Sequence, residues 1–406
     1  MAEFKGLAHP AESITTNRKV TVIHTSQKSI SRRKFLKMTA KAASGIAVSA
    51  IMPDLTTGQK ESAVHKPIVS VVKIKKDNIQ RAVEQAIDLL GGVATATGNA
   101  ELIMLKPNLA VSKPDATTDR AVVGAVARVL KAAKKRVLIG EGSTFAPKLP
   151  NGMLCQTKDV EYLTTGQKRV FDELGYTDLA KQLGIPLVNL HVGAMAFVPV
   201  ENFLVEPIVT LHKSLKQIDL LVSMPLLKTY QLSQISLAMQ NLWGTLPSVE
   251  YANPRVVMHD AAAKIESSGT ASASVDLVRA NKVGLTIIDA TKAMHGQTIH
   301  GVGPHTGIVT KMNLIIAGTH PLPTDMVAAH IMGFDSNEIP QIGTFKWARK
   351  VGMSPTGLDE IEIRGTNPAD VIRRLKRADA LPWLSAGFAL APQRCPGENE
   401  VNVYGN

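Results

Sequence analysis

The side chains with the most chemical potential in this sequence are scattered: Lys106, Glu141, Lys228, Asp289 and Asp325. Each follows a short apolar run or opens a helical one. In an open α/β sheet such positions share the carboxyl edge of the strands, where ligands bind. Lys106 and Lys228 suit an anionic group, and Asn108, Ser143 and Asn241 would orient it by hydrogen bonds. Glu141, Asp289 and Asp325 would supply acid/base carboxylates or ligands to a divalent metal. His295, His300 and His305 recur at intervals of five in a Gly-rich stretch and form a separate candidate metal site. Each feature also has a bland reading. Asp119 reads as a helix N-cap, and Asp325 as a complement to a helix dipole. Gly140-Glu141-Gly142-Ser143 lacks the longer glycine fingerprint of a phosphate loop. The histidines lack tight ligand spacing, which favours solvated imidazoles on a loop.

These residues need elements to hold them. Residues 68–74 are β-branched and strand-like, and residues 78–90 carry apolar side chains at helical spacing, closed by Gly91-Gly92. Strands are expected at 101–105 and 136–139, with a helix over 121–130 capped by Asp119. Residues 145–167 form an irregular insert. Beyond it the pattern predicts a helix over 170–183, strands at 186–190 and 218–224, and a helix over 232–243 stopped by Gly244. Strands follow at 283–288, 314–317 and 361–363, with helices over 326–332, 342–350 and 369–375. This alternation specifies an α/β fold, a mostly parallel sheet covered by helices on both faces.

Charge is unevenly placed. Residues 1–50 hold nine Lys or Arg and two Glu, a net +7 of the chain's +12, which leaves +5 for the rest. Aromatic residues are scarce and no basic run is interleaved with them, so nucleic acid is not an expected partner. No later apolar run reaches 18 residues, so no transmembrane helix is expected. Cys155 and Cys395 are too few for a four-thiolate iron–sulfur cluster within this chain, and stand either as one disulfide or as two free thiols.

Ser31-Arg32-Arg33-Lys34-Phe35-Leu36-Lys37, followed by a mildly apolar stretch over 38–52, resembles a twin-arginine export signal. The stretch is too short to span a bilayer comfortably, and Val48-Ser49-Ala50 offers small residues for cleavage. The rival is a basic amphipathic helix on a cytosolic protein. The resemblance implies the twin-arginine export machinery as a partner and a periplasmic protein exported already folded. The organisation is then a signal region over 1–52, a linker over 53–67, an α/β domain over 68–376 and an irregular tail over 377–406.

Several ordered blocks carry a second resemblance. Leu105-Lys106-Pro107-Asn108, Thr117-Thr118-Asp119, Gly140-Glu141-Gly142-Ser143, Pro225-Leu226-Leu227-Lys228-Thr229, Leu237-Ala238-Met239-Gln240-Asn241-Leu242-Trp243-Gly244 and Ile287-Ile288-Asp289-Ala290 are similar to successive motifs of the domain-of-unknown-function 362 family. The match continues through Asp325 to Asp335 and covers roughly residues 68–365. The family's activity is largely unassigned, and many relatives carry a ferredoxin-like cluster domain. Tyr230, Gln240 and His295 stand where the family tends to have His, Lys and an acidic residue. Two functions fit: an exported enzyme with a crevice for a small anionic ligand or a metal, or a non-catalytic periplasmic binding or assembly protein for a redox partner complex.

The export expectation has a direct test. Replacing Arg32 and Arg33 together by Lys is expected to retain folded protein in the cytoplasm. Normal periplasmic amounts of the double variant would overturn the twin-arginine reading.

Overall fold

A run such as Leu102-Ile103-Met104-Leu105 has no polar face to give to water, so it must be covered on both sides. The computed structural model, which describes residues 66–144, 156–296 and 307–378, places it in the interior of a sheet. The strands are β1 (Ile68–Lys73), β2 (Leu102–Pro107), β3 (Arg136–Glu141), β4 (Leu187–Asn189), β5 (Met195–Pro199), β6 (Ile208–His212), β7 (Leu220–Met224), β8 (Leu226–Tyr230), β9 (Gln234–Ser236), β10 (Val283–His295), β11 (Ile308–Gly318) and β12 (Glu362–Gly365). Among the described residues ten of them form one sheet in the order β12-β1-β11-β10-β7-β2-β3-β4, with β8 pairing β10 and β9. β4, β3, β2, β7 and β10 run parallel to one another, as do β8 with β10 and β1 with β12. β11 runs antiparallel between β1 and β10. β5 and β6 form a separate antiparallel hairpin.

Alternation along each strand divides the core. Met104, Leu221, Ile288 and Ile316 pack on one face, with Met258, Val275, Val327 and Phe345 from covering helices. Ile103, Leu105, Val222, Ile287 and Ile315 pack on the other, with Val83, Val126 and Val170. The fold is therefore α/β with a mostly parallel sheet and helices on both faces. The helices are punctuated locally. Asp119 accepts a hydrogen bond from the Ala121 N–H at 2.8 Å and starts Arg120–Ala132. Asn78 does the same for Ile79–Leu89, and Asp159 for Val160–Glu173. Among the described residues no helix is long and apolar enough to cross a membrane.

Seven local expectations are corrected. The helix over 170–183 is two helices, Val160–Glu173 and Tyr176–Leu183, because Gly175 turns the chain at φ 72°. The first of them begins inside the expected irregular insert. Residues 232–243 are not one helix: Gln234–Ser236 folds back on β8, and only Ala238–Asn241 is α-helical. Their apolar spacing satisfies burial in either form, and pairing with β8 decides it. Lys228 does not follow a strand but lies inside β8, because Pro225 lets the chain step from β7 to a second strand beside β10. Asp289 does not end its strand, since β10 continues to His295, and Asp325 lies inside Pro321–Ile331 rather than at its start. Residues 369–375 make only a 3-10 turn, Pro368–Asp370. The Arg373 and Leu375 N–H groups instead donate to the orphan carbonyls of Ile331 and Met332 at 2.8 and 3.0 Å. The hairpin β5–β6 and the helices Val256–Ala263 and Ala271–Ala280 were not anticipated.

Arg32, Arg33, Cys155, His300, His305 and Cys395 lie outside the described residues.

Coverage of both faces is testable with adjacent residues. Ile315→Ala and Ile316→Ala remove side chains from opposite faces of β11. Each is expected to lower unfolding free energy by about 2–5 kcal/mol in urea titrations. A cost near zero for either would mean that its face is open to water.

Candidate functional site

The C-terminal ends of β2 and β3 and the middle of β8 bring three charged side chains together. Lys106, one residue from the end of β2, donates to Glu141 Oε1 at 2.7 Å, and both are buried. Glu141 also accepts from the Gly142 N–H at 2.8 Å and, through Oε2, from the Leu109 N–H at 2.9 Å. Three donors on one carboxylate offset much of the cost of removing it from water. Gly244 closes over the pair: a Cβ there would collide with Glu141 Oε1 and stand 2.5 Å from Lys106 Nζ. Burial pulls the Lys106 ammonium below its ordinary pKa, Glu141 opposes that, and the charge of Arg255 adds to it.

Two amides extend the network. Asn241 Oδ1 accepts from Lys106 Nζ and from Asn108 Nδ2, each at 3.3 Å. Its Nδ2 donates to the Lys106 carbonyl at 3.0 Å and to Ser223 Oγ at 3.2 Å. Lys228 donates to Asn108 Oδ1 at 2.6 Å and to the Ala116 carbonyl at 3.2 Å. Both of these partners are neutral oxygens. Burial lowers it to about 8, with Lys106 adding to the shift and Glu141 opposing it.

Asp325 and Asp289 serve this network from outside. Asp325 accepts from the Ala238 and Met239 N–H groups at 2.8 and 2.9 Å, and so caps the short helix that carries Asn241. Burial raises it to about 7 against the pull of those two bonds. Asp289 accepts from the Asp119 N–H at 2.7 Å and from the N–H and hydroxyl of Thr291 at 3.0 and 2.7 Å. It pins the start of Arg120–Ala132, on the second core face, and burial raises it to about 6. The network thus joins Lys106, Asn108, Glu141, Lys228 and Asn241 directly, while Asp325 reaches it through one helix and Asp289 faces the other layer.

Ser143 is held by its backbone. Its N–H donates to Gln167 Oε1 at 2.8 Å, and its carbonyl accepts from Arg255 Nη1 at 3.2 Å. Arg255 is fully buried and also donates to the Gly142 and Leu246 carbonyls and to Thr144 Oγ1. Burial lowers it to about 10, with Glu141 opposing. His191, buried beside it with a hydrogen bond to the Ser143 backbone, is held well below its ordinary pKa by burial, then by Arg255 and Lys106. Neither Arg255 nor His191 was anticipated. The one signal for Arg255 is a lone cation between Pro254 and Val256-Val257.

His295 is occupied at both ring nitrogens. Nδ1 accepts from the Lys376 N–H at 3.1 Å, which puts the proton on Nε2, 2.9 Å from Thr310 Oγ1. Among the described residues no group of three His, Cys, Asp or Glu could hold a metal ion.

Known proteins resemble this chain in part. The family described as "Domain of unknown function (DUF362)" matches residues 103–330, more than half of the 406. A thylakoid-associated protein of Synechocystis sp., sll1697, is 23% identical over 289 residues, which are 70% of this chain and 78% of that protein. The lactate racemase apoprotein from Thermoanaerobacterium thermosaccharolyticum superposes with a TM-score of 0.30 and 13% identity, over 60% of this chain and 54% of that one. The chain spans about half the length of that structure.

Two outcomes follow from this geometry. Glu141→Gln leaves Lys106 and Arg255 buried without their counter-charge, and is expected to cost about 3–5 kcal/mol in stability. An unchanged unfolding midpoint would remove Glu141 from that role. Asp325 and Asp289, at about 7 and about 6, bind protons in the fold at pH values where the unfolded chain has released them. Their stabilising effect is full at low pH and falls as pH rises through about 4 to 7. Asp325→Asn is expected to flatten that decline in melting temperature between pH 5 and 8, and a slope equal to wild type would assign the decline elsewhere.

Proposed function

The chain belongs to the DUF362 family, and on that footing we propose that it binds a small anionic ligand over the Lys106–Glu141–Lys228 network. One observation carries the reading. Lys106, Lys228 and Arg255 are three buried cations, and Glu141 is the carboxylate that acts on each of them. Buried charge without a counter-charge is costly, so a site with this imbalance favours an added negative group. Lys228, whose bonds to Asn108 and Ala116 go to neutral oxygens, is the cation that gains most from it. Asn108, half-buried beside it, would orient the ligand.

The same imbalance favours an anion over a metal ion, which would add positive charge. Lys228 at about 8 can exchange a proton near neutral pH, which favours an enzyme over a non-catalytic binding protein for a redox complex. The Ser31–Lys37 motif supports export by the twin-arginine route to the periplasm.

Titration of the purified protein with inorganic phosphate, sulfate and acetate tests the reading by calorimetry. Wild type is expected to bind at least one of them, and Lys228→Met to lose about tenfold or more in affinity, as for a lost charged hydrogen bond. Affinity is expected to fall as pH rises through about 8, where Lys228 loses its proton. A Lys228→Met variant that binds as tightly as wild type would exclude Lys228 from the site.

A further inference from the structure

Among the described residues, Ser143 and Gln167 each keep one polar atom without a hydrogen-bond partner: the Ser143 hydroxyl and the Gln167 amide nitrogen, both buried. Leaving such a group unmade costs about 1–3 kcal/mol, so a pair of them calls for an explanation. The orientation of the amide is not arbitrary. Gln167 Oε1 must face the Ser143 N–H, which is a donor, so the NH2 end is the one left over. The bond also makes the two orphans neighbours.

Both orphans can donate, and Gln167 Nε2 can only donate. What they lack is an acceptor oxygen. The loop that presents them is fixed by other bonds: Arg255 holds the Gly142 and Ser143 carbonyls, and the Thr144 N–H donates to the Ala110 carbonyl at 2.8 Å. Ser143 is therefore not free to turn its backbone in search of a partner. The local potential is positive as well, because Arg255 and Lys106 both push His191 toward its neutral form. A positive potential favours an anionic oxygen over a water molecule at the same place.

We infer that Ser143 Oγ and Gln167 Nε2 form a donor pair for an anionic oxygen, of a carboxylate or a phosphoryl group, on the ligand of the Lys106–Glu141–Lys228 site. The inference rests on the anion-binding reading and adds to it a second point of attachment, next to Arg255. It assigns Gln167 a role that the spacing of the sequence does not suggest, since Gln167 lies on the helix Val160–Glu173 rather than at a strand end.

Two variants and two measurements test it. Ser143→Ala deletes one orphan. Gln167→Glu keeps the oxygen that accepts from the Ser143 N–H and replaces the donor with an acceptor. Groups that serve the fold lose stability when removed, whereas groups that serve a ligand do not. Ser143→Ala is expected to melt at or above the wild-type temperature without anion, while Gln167→Glu, which buries a carboxyl group, is read by binding of the folded protein alone. Both variants are expected to bind inorganic phosphate or acetate, whichever wild type binds, about tenfold or more weakly. A melting temperature several degrees lower in Ser143→Ala would show a structural partner for the hydroxyl and overturn the inference. Wild-type affinity in both variants, with Lys228→Met still impaired, would overturn it while leaving the anion site standing. If wild type binds none of the three anions, the site reading itself fails, and this inference with it.

Discussion

Lys106 and Glu141 meet at 2.7 Å between adjacent parallel strands, out of reach of water. In such surroundings each charge is tolerable only while the other is there, and only with every remaining lone pair and proton placed. That requirement spreads outward. The carboxylate takes the N–H groups of Gly142 and Leu109, and so fixes the turns after β3 and β2. The ammonium fixes Asn241, Asn241 fixes Asn108, and Asn108 receives Lys228. The glycine at 244 follows from the same pair, because only a residue without Cβ allows the chain to pass over it. Asp325 completes the arrangement by capping the helix on which Asn241 rides. The site is thus a chain of dependencies that starts at one ion pair.

The arrangement separates roles that look alike in composition. Glu141, Asp289 and Asp325 are all buried carboxylates at or near the ends of apolar runs. Glu141 meets a lysine; the other two meet backbone N–H groups and hold a helix each. Burial raises Asp289 and Asp325, since their partners are dipoles rather than charges. The distinction lies in what faces each carboxylate, which is a property of the fold and not of its immediate neighbours in sequence.

Position after a strand marked Lys106, Asn108 and Glu141, because parallel strands present their C-terminal ends on one edge, whereas Lys228 joins them from inside β8 and Asn241 from a short helix. The sheet itself was legible for a similar reason: 102–105 is apolar at every residue and 220–224 and 283–288 nearly so, which a doubly covered sheet accommodates. Arg255, His191 and Gln167 were not legible. They enter from a loop, a strand exit and a helix face, and their importance depends on long-range contacts that no local period encodes. Residues 232–243 failed for a different reason. Their apolar positions fit a helix and a hairpin equally, and β8, which decides between them, was itself hidden by Pro225.

β1 lies between β11 and β12, its residue 69 opposite Gly318 and its residue 68 opposite Glu362. The first strand of the domain therefore has no partner strand until almost the whole chain exists. During synthesis it would emerge as an unpaired apolar segment and stay so while the strands that will flank it are still being made. Closing so long a loop is entropically slow. A nascent chain of this kind has a prolonged interval of vulnerability to association with its own copies, and a strong dependence on whatever shields β1 in the meantime.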